Sequence, residues 1–291
     1  HLAHRLQEAG LGQEHALRIG GLCERELSVS LPELEADGER RSVVKTMVCV
    51  FGLHSTAIWS GVPLRVLLER AGVDRARAAR LRFFGWDGFE NNLPLSAIYG
   101  ERAADSFEPL IAYHIYGERL PREHGFPFRL LLADRYGYKN IKWLERIEIT
   151  DRDEPTGQYQ QSGYSDAALI EPLVAVARLR LTETVSVGPF ELCGFAVSGY
   201  AGIAQVDVSV DQQPFAAASL SSATELLERE PRLSEALQLR DAGGSGSLPG
   251  VWSAFGYQLQ VKPGEQRVRI RVRDDGGRTA DAAELRIIGR S

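Results

Sequence analysis

Short apolar stretches in the first half of the chain are spaced as strands, and one is spaced as a helix. "VPLRVLLERAG" carries its apolar residues at helical spacing and ends in Gly72, a residue type that often ends helices. The stretches that predict strands are "ALRIGG", "VVKTMVCVFG", "RLRFFGW", "FPFRLLLAD" and "WLERIEIT". This part of the chain therefore predicts a mixed α+β domain. The polar, glycine-rich stretch "DRDEPTGQYQQSGYSD" that follows has neither the helical nor the strand period, and it predicts a domain boundary.

From about Leu169 the pattern changes to repeated short strands, which is typical of a β-sandwich. The clearest case is "QRVRIRVRDDGG", in which Val and Ile alternate with Arg at a period of two. One stretch breaks the pattern, because "ATELLEREPRLSEALQLRD" predicts a helix and is followed by the flexible "AGGSGSLPG". We predict two domains, residues 1–168 and 169–291, with an insertion at 222–250 in the second.

Composition excludes several classes of protein. The net charge of −5 provides no basic surface for nucleic acid or an anionic membrane. No apolar run approaches the ~20 residues that cross a bilayer. The three cysteines are too scattered for a disulfide framework or a paired-cysteine zinc site. The sequence begins at His1 without a methionine or an export signal, and its compartment is unknown.

Two positions in apolar stretches carry side chains that could have a chemical function. Cys49 lies between two valines, where a lone cysteine is more often a small buried apolar side chain, and its spacing alone does not assign it another role. Arg129 lies in the apolar strand "FPFRLLLA", where an unpaired charge would cost several kcal/mol. Its partner is either a neighbouring carboxylate, in a structural ion pair, or the phosphate of a ligand.

Further cationic side chains lie near Arg129 along the chain. His124 precedes it by five residues, and "YGYKNIKW" places Lys139 and Lys142 shortly after it. Glycines, two lysines and an arginine that can bind with two nitrogens together resemble a cradle for phosphate or pyrophosphate.

These stretches resemble the sulfite oxidase family of molybdenum enzymes. "IAYHIYGERLPREHGFPFR" followed by "IKWL" is similar to the family pattern L-A-Y-x-x-N-G-x-x-L-P-x-x-H-G-x-P-x-R with V-K-W-L. "VCVFG" with "WSGVPLRVLLERAG" is similar to the cysteine-bearing strand of the family and the helix after it. The second domain resembles the family's immunoglobulin-like dimerisation domain.

The resemblance implies a cofactor of molybdenum with molybdopterin, and it implies roles for particular residues. Cys49 would bind the metal through its thiolate, and Tyr164 would lie near the oxo groups, unless it is only an aromatic side chain of the linker. Trp59 and Trp143 are interpreted as packing residues. The residues implied to hold the rest of the cofactor are Asp87, His124, Arg129, Asn140, Ile141 and Lys142.

The sequence departs from the family pattern at three places, and the first of them affects the expected substrate. Members that oxidise sulfite follow the cysteine with a G-N-R-R-like segment, whereas this chain has Leu53 and His54 at the arginine positions. A fixed charge is thus replaced by a titratable one, and we assign His54 a catalytic role in binding the oxyanion. Tyr116 replaces the asparagine of the pattern, a change interpreted as a conservative one at the surface. His4 is a weak match to an N-terminal histidine of the family.

Two functions follow from the sequence. The first is a molybdenum-cofactor oxidoreductase that transfers an oxygen atom on a small oxyanion or S-oxide, like a sulfite oxidase. We expect it to form a homodimer and, because no C-x-x-C-H haem motif is present, to pass electrons to a separate partner such as a cytochrome. The second is a non-catalytic, dimeric binding module that keeps the family fold.

Overall fold

The computed structural model describes residues 15–100, 108–132, 134–177, 182–199, 201–222, 225, 228, 247–248 and 250–290. The chain divides after Leu169 into two compact units. The assignment of these units to a catalytic and a dimerisation domain stays a prediction. The predicted helical insertion at 222–250 lies almost entirely outside the described residues, and His4 lies outside them as well.

Ten strands form two sheets in the first unit. The strands are β1 (Ala16–Gly21), β2 (Leu27–Ser30), β3 (Arg41–Val48), β4 (His54–Pro63), β5 (Arg80–Gly85), β6 (Glu90–Pro94), β7 (Leu110–Ile115), β8 (Glu118–Arg119), β9 (Arg129–Leu131) and β10 (Leu144–Thr150). The first sheet has the order β2-β1-β10-β5-β6, with β1 and β10 parallel and the other pairs antiparallel. The second has the order β3-β4-β7-β8, with β9 also paired to β7, and is antiparallel.

The helices described in this unit are short. They are α1 (Leu31–Glu35), α2 (Leu64–Ala71), α3 (Ser96–Tyr99), α4 (Gln158–Gln161) and two 3-10 helices, Arg122–His124 and Gly137–Lys139. The prediction for α2 is confirmed, because Leu64, Leu67 and Leu68 face the core and Gly72 ends the helix with a φ of 68°. Since strands dominate, the unit is mostly β, and the predicted α+β class is not confirmed.

Two apolar clusters hold the first unit together. The larger joins the first sheet, α1 and α2, with Leu17, Leu67 and Phe83 fully buried. The smaller cluster lies on one face of the second sheet and is made of Ala57, Trp59, Leu110, Ala112, Leu120 and Leu131, with Val43 and Met47 packed against it. We call this surface the HC face, for hydrophobic cluster.

The second unit contains two sheets around one apolar core. Its strands are β11 (Leu173–Val176), β12 (Thr182–Ser186), β13 (Gly188–Val197), β14 (Ile203–Val210), β15 (Ala216–Ala217), β16 (Ser219–Leu220), β17 (Ser253–Val261), β18 (Gly264–Asp274) and β19 (Thr279–Arg290). The sheets have the orders β11-β13-β17-β16 and β12-β19-β18-β14-β15. Phe255 of one sheet and Ile270 of the other are buried in the same cluster. The immunoglobulin-like assignment stays a prediction.

Three sequence predictions need correction in detail. Cys49 does not lie within a strand, because β3 ends at Val48 and Cys49 begins the turn to β4. His124 and Arg129 do not share a strand: His124 ends a 3-10 helix, and Arg129 begins β9. The predicted strand "FPFRLLLAD" is reduced to the three residues of β9.

Among the described helices, none is long and apolar enough to cross a membrane.

Candidate functional site

Cys49 is held at the base of the hairpin turn between β3 and β4. Its N–H donates to the carbonyl oxygen of Leu53 at 2.7 Å, and its own carbonyl accepts from the Gly52 N–H at 2.9 Å. Gly52 takes a φ of 85°, which favours glycine. Cys49 is a free cysteine of intermediate exposure. A thiol fixed by backbone hydrogen bonds at the end of a strand is suited to bind a metal from one side.

The tip of the same turn is apolar and exposed. Phe51 is 76% exposed and Leu53 is 75% exposed, next to the thiol. His54 begins β4, and its Nδ1 lies 3.1 Å from the carbonyl oxygen of Gly52. His54 and Cys49 therefore lie on the two sides of one turn, and no arginine stands in this turn.

Arg129 is the most unusual charge of the first unit. It is 2% exposed, and its guanidinium donates to two backbone carbonyls, those of His124 at 3.0 Å and Asn140 at 3.4 Å. No carboxylate pairs with it in the described part of the chain, and its Nε makes no hydrogen bond there. Burial lowers the pKa of Arg129 to about 10. The structural ion pair is therefore disfavoured as the explanation of this residue.

His124 and Lys142 flank Arg129. The His124 ring lies edge-on to Trp59, with centroids 6.5 Å apart, and His124 is exposed to solvent. Lys142 Nζ donates to the carbonyl oxygen of Glu123 at 2.6 Å. Burial and then the neighbouring Arg129 lower the pKa of Lys142, while Asp87 and Glu123 oppose this shift. The structure thus places these three side chains of cationic type near one another.

Gly125 permits this approach. A Cβ at this position would lie 3.0 Å from the Lys142 Cβ and 3.2 Å from the Arg129 Cβ, and its φ is 105°. Any side chain here would both strain the backbone and force the two cations apart.

Asn140 and Ile141 contribute in a different way from Lys142. The Asn140 side chain accepts from the Leu132 N–H at 2.7 Å and donates to the carbonyls of Arg135 and Tyr136. Ile141 is buried in the core, and its carbonyl accepts from the Leu130 N–H at 2.8 Å. Their side chains shape the loop, so any contact with a ligand must come from their backbone.

Lys139 does not join the cationic group. Its Nζ donates to Asp166 at 2.8 Å and to the carbonyl oxygen of Asn92 at 2.9 Å, in a buried setting. The expectation that Lys139 belongs to the phosphate cradle is wrong, because Asp166 already neutralises it. This ion pair instead anchors the segment that carries Tyr164.

Asp87 lies in the turn between β5 and β6. Its Oδ1 accepts from the Phe89 N–H at 3.0 Å, and the preceding residue, Trp86, donates its N–H to the carbonyl of Trp143. This hydrogen bond holds the turn against Trp143, the residue that follows Lys142 in the sequence. Asp87 is therefore close to the cationic side chains.

Tyr164 belongs to a cluster of tyrosines. Its ring lies edge-on to Tyr138, with centroids 5.7 Å apart, and to Tyr159, at 5.2 Å. Its N–H donates to the Tyr159 carbonyl at 3.0 Å. Tyr138 follows Gly137, and a Cβ on Gly137 would lie 3.5 Å from the Val48 carbonyl oxygen. The tyrosine cluster thus adjoins the strand end that precedes Cys49.

Residues 137–142 connect the two ends of the site. At Gly137 this segment approaches the end of β3, and at Lys142 it contacts Gly125 beside Arg129. The site is therefore elongated, with a thiol at one end and an arginine and a lysine at the other. Such an arrangement suits a long ligand with a soft metal at one end and an anionic group at the other.

Residues 5–158 match the family model for the oxidoreductase molybdopterin binding domain. The chain belongs to this family. The predicted cofactor, molybdopterin with molybdenum, and the predicted class, an oxidoreductase, are confirmed at the level of the family.

Individual members of the molybdopterin family are similar to this chain over part of its length. Chicken (Gallus gallus) sulfite oxidase is 29% identical over 238 residues, which are 68% of this chain and 52% of that protein. Nitrate reductase [NADPH] from Phytophthora infestans is 37% identical over 121 residues, or 40% of this chain and 13% of the relative. The human mitochondrial sulfite oxidase is 31% identical and is matched over 37% of its length. The chain thus spans about half or less of these curated relatives.

One solved structure has a fold similar to that of this chain. The sulfane dehydrogenase SoxCD from Paracoccus pantotrophus has a TM-score of 0.68 and 20% identity, covering 92% of this chain and 69% of that one. The likeness extends over both units of this chain and supports the fold alone.

The residues of the site fit the molybdopterin cofactor. The cofactor has two parts that these residues could bind. One is a metal that prefers thiolate ligands, and the other is an anionic tail. Arg129 is buried without a carboxylate partner among the described residues, and one of its donors is unused. Cys49 would hold the metal, and Arg129 with Lys142 and His124 would hold the anionic tail.

Two buried residues next to the site have features that the sequence does not show. Trp59, interpreted as a packing residue, lies under the guanidinium of Arg129 at 4.7 Å from the ring centroid. Lys45 on β3 is fully buried, and no sequence signal marked it because a lysine in a strand usually faces solvent. Tyr116 also differs from its interpretation as a conservative change, because it takes a φ of 51°, where asparagine is better tolerated.

Proposed function

We propose that this chain is the cofactor-binding part of an oxidoreductase that transfers an oxygen atom to or from a small oxyanion or an S-oxide. The observation that carries the proposal is the buried Arg129, which has no carboxylate partner in the described residues and needs an anionic ligand. The alternative, a non-catalytic binding module, is not favoured by membership of an oxidoreductase family.

Each site residue has a proposed task. When bound, the molybdenum–molybdopterin group supplies two-electron redox chemistry coupled to oxygen-atom transfer. Cys49 ligates the metal from the turn after β3, and Arg129, His124 and Lys142 bind the anionic tail. The backbone of Asn140 and Ile141 and the carboxylate of Asp87 complete the binding of the pterin.

The substrate contacts the other side of Cys49. The Tyr164 hydroxyl is proposed to donate a hydrogen bond to the reacting oxygen, and His54 to provide a proton or a positive charge to an oxyanion. The exposed Phe51 and Leu53 make this entrance less cationic than the arginines of sulfite-oxidising members would. We therefore propose that sulfite is a weak substrate.

The partners are proposed on the same basis. The second unit, with its two sheets around one core, is proposed to be immunoglobulin-like and to form a homodimer. Electrons are proposed to pass to a separate electron acceptor such as a cytochrome.

A pair of tyrosine variants tests the assignment of the reacting end. Tyr164→Phe should lower kcat/KM by roughly a hundredfold with molybdenum content unchanged, because only a hydroxyl near the substrate is removed. Tyr159→Phe, in the same ring cluster, is the matched control and should keep the wild-type kcat/KM. The assay uses sulfite with an artificial electron acceptor and, in the reverse direction, an alkyl sulfoxide with a reduced dye. Equal rates for the two variants would remove Tyr164 from the reaction.

A further inference from the structure

Lys45 is a fully buried lysine without a hydrogen-bond partner in the described part of the chain. It lies in the middle of β3, opposite Ala57, and its Nζ makes no hydrogen bond to the described residues. Burial lowers the pKa of Lys45 to about 7; the nearby Asp134 opposes this shift, and Arg135 adds to it. An ammonium group removed from water without a partner is costly, so its retention calls for a reason.

Lys45 lies on the HC face. The register of β3 and β4 is uninterrupted, and alternation along a strand places Lys45 on the face of Val43 and Met47. Trp59 stands on the same face, two residues beyond Ala57 on β4.

Arg129 reaches the same face from β9. It pairs with Ala112 of β7, which is part of the HC face, and its guanidinium lies over the Trp59 ring. The Arg129 Nε and the Trp59 Nε1 are also buried and make no hydrogen bond to the described residues. One sheet face therefore carries three buried donors, on Lys45, Trp59 and Arg129, that make no hydrogen bond to the described residues. A group of donors without acceptors is complementary to a ligand that is rich in acceptors and negatively charged.

The position of Lys45 is intermediate between the two ends of the site. Along β3, Lys45 precedes Cys49 by four residues, or ~13 Å at the usual rise of a strand. In the other direction Trp59, opposite Val43, is only two residues away along the sheet and underlies Arg129. A ligand held by Cys49 at one end and by Arg129 at the other has its middle near Lys45.

We propose that Lys45 is a further cofactor-binding residue, whose ammonium group donates to the acceptor atoms in the middle of the molybdopterin, with Trp59 Nε1 as a second donor. The proposal rests on the proposed function, because it assumes that Cys49 and Arg129 hold the same cofactor.

The test measures how firmly the chain retains its cofactor. Wild type, Lys45→Met, Trp59→Phe and the control Lys262→Met, which removes an exposed lysine of the second unit, are purified from molybdate-supplemented cells that make the cofactor. Molybdenum and pterin are measured per chain, and pterin release is followed by fluorescence. We expect Lys45→Met to release pterin at least tenfold faster than wild type and Trp59→Phe severalfold faster. Lys262→Met should match wild type.

Several outcomes would overturn the proposal, and each is distinguishable. Equal release from Lys45→Met and wild type would show that Lys45 does not contact the cofactor. A Lys45→Met chain that fails to fold, judged by near-UV circular dichroism, would show that the ammonium has a structural partner. Wild type that contains no pterin after loading would instead overturn the proposed function itself.

Discussion

The guanidinium carbon of Arg129 lies 4.7 Å from the centroid of the Trp59 ring, and both side chains are buried on one face of the second sheet. An aromatic face supports a cation without neutralising it. Arg129 thus keeps its full charge for a ligand, and its geometry is fixed by the ring and two backbone carbonyls. This relationship leads to the first prediction.

Replacing Arg129 should reduce the content of cofactor. Arg129→Ala removes the donor of two parallel hydrogen bonds to the anionic tail, a charge-assisted contact that contributes about 1.5–3 kcal/mol, so molybdenum per chain should fall by roughly ten- to a hundredfold under limiting cofactor. Elemental analysis of the purified variant checks this. Arg82→Ala, which breaks a partly exposed ion pair with Glu90, is the control. Wild-type molybdenum in Arg129→Ala would mean that Arg129 serves the fold.

The chain without cofactor should become more stable when Lys45 loses its charge. The unfolded lysine has a pKa of ~10.4, and the folded one has a pKa of about 7. Between these values the unfolded state binds one more proton, so the free energy of unfolding rises with pH. Below pH 7 both states are protonated, and the full cost of burial is present.

Urea unfolding of the cofactor-free protein measures this cost. Lys45→Met should be more stable than wild type at pH 6.5 by roughly 3–6 kcal/mol, and the difference should shrink as the pH rises to 10. Lys262→Met should leave the free energy of unfolding and its pH dependence unchanged. A Lys45→Met variant less stable than wild type at pH 6.5 would show that the ammonium has a favourable partner in the folded chain.

His54→Arg should improve the use of sulfite. A fixed charge beside Cys49 would attract the sulfite dianion, and one charge contact of about 1.5–3 kcal/mol corresponds to a ten- to hundredfold lower KM. Steady-state kinetics with sulfite on wild type and His54→Arg provide the measurement. A low-micromolar KM in wild type that the substitution leaves unchanged would restore sulfite as the natural substrate.

The second unit should make a homodimer. The resemblance of this unit to the family's dimerisation domain implies self-association, and its two sheets surround an apolar core of their own. Sedimentation velocity of the full chain at micromolar concentration should give about twice the mass of 32.1 kDa. A single species at the mass of one chain would contradict the proposed dimer.

The sequence pattern predicted those helices and strands whose periodicity is visible in their own residues. The helix α2 and the alternating strand β18 were predicted, because a buried stripe of leucines and a period of two are visible in the residues themselves. The strand β19 was missed, since "TADAAELRIIGR" alternates only in its second half. β9 is short because the chain leaves the sheet after Leu131 and residues 134–140 form the loop of the site, a tertiary event that no local pattern shows.

The sequence nominates residues for the candidate site, but it does not show which of them are buried. The family motifs identified Cys49, Arg129 and Lys142, and the structure places the last two together beside Gly125. Lys139 and Lys45 could not be assigned correctly from sequence. One is neutralised by Asp166, far along the chain, and the other is buried by packing between distant elements.

We propose that Cys49 holds molybdenum at one end of this site. The visible absorption of the thiolate-to-molybdenum transition in cofactor-loaded protein tests this most directly, for wild type, Cys49→Ser and the control Cys193→Ser. We expect the band to be lost in Cys49→Ser, which keeps pterin through Arg129 and Lys142, and to be unchanged in Cys193→Ser. A Cys49→Ser protein with the wild-type band and normal turnover would contradict it.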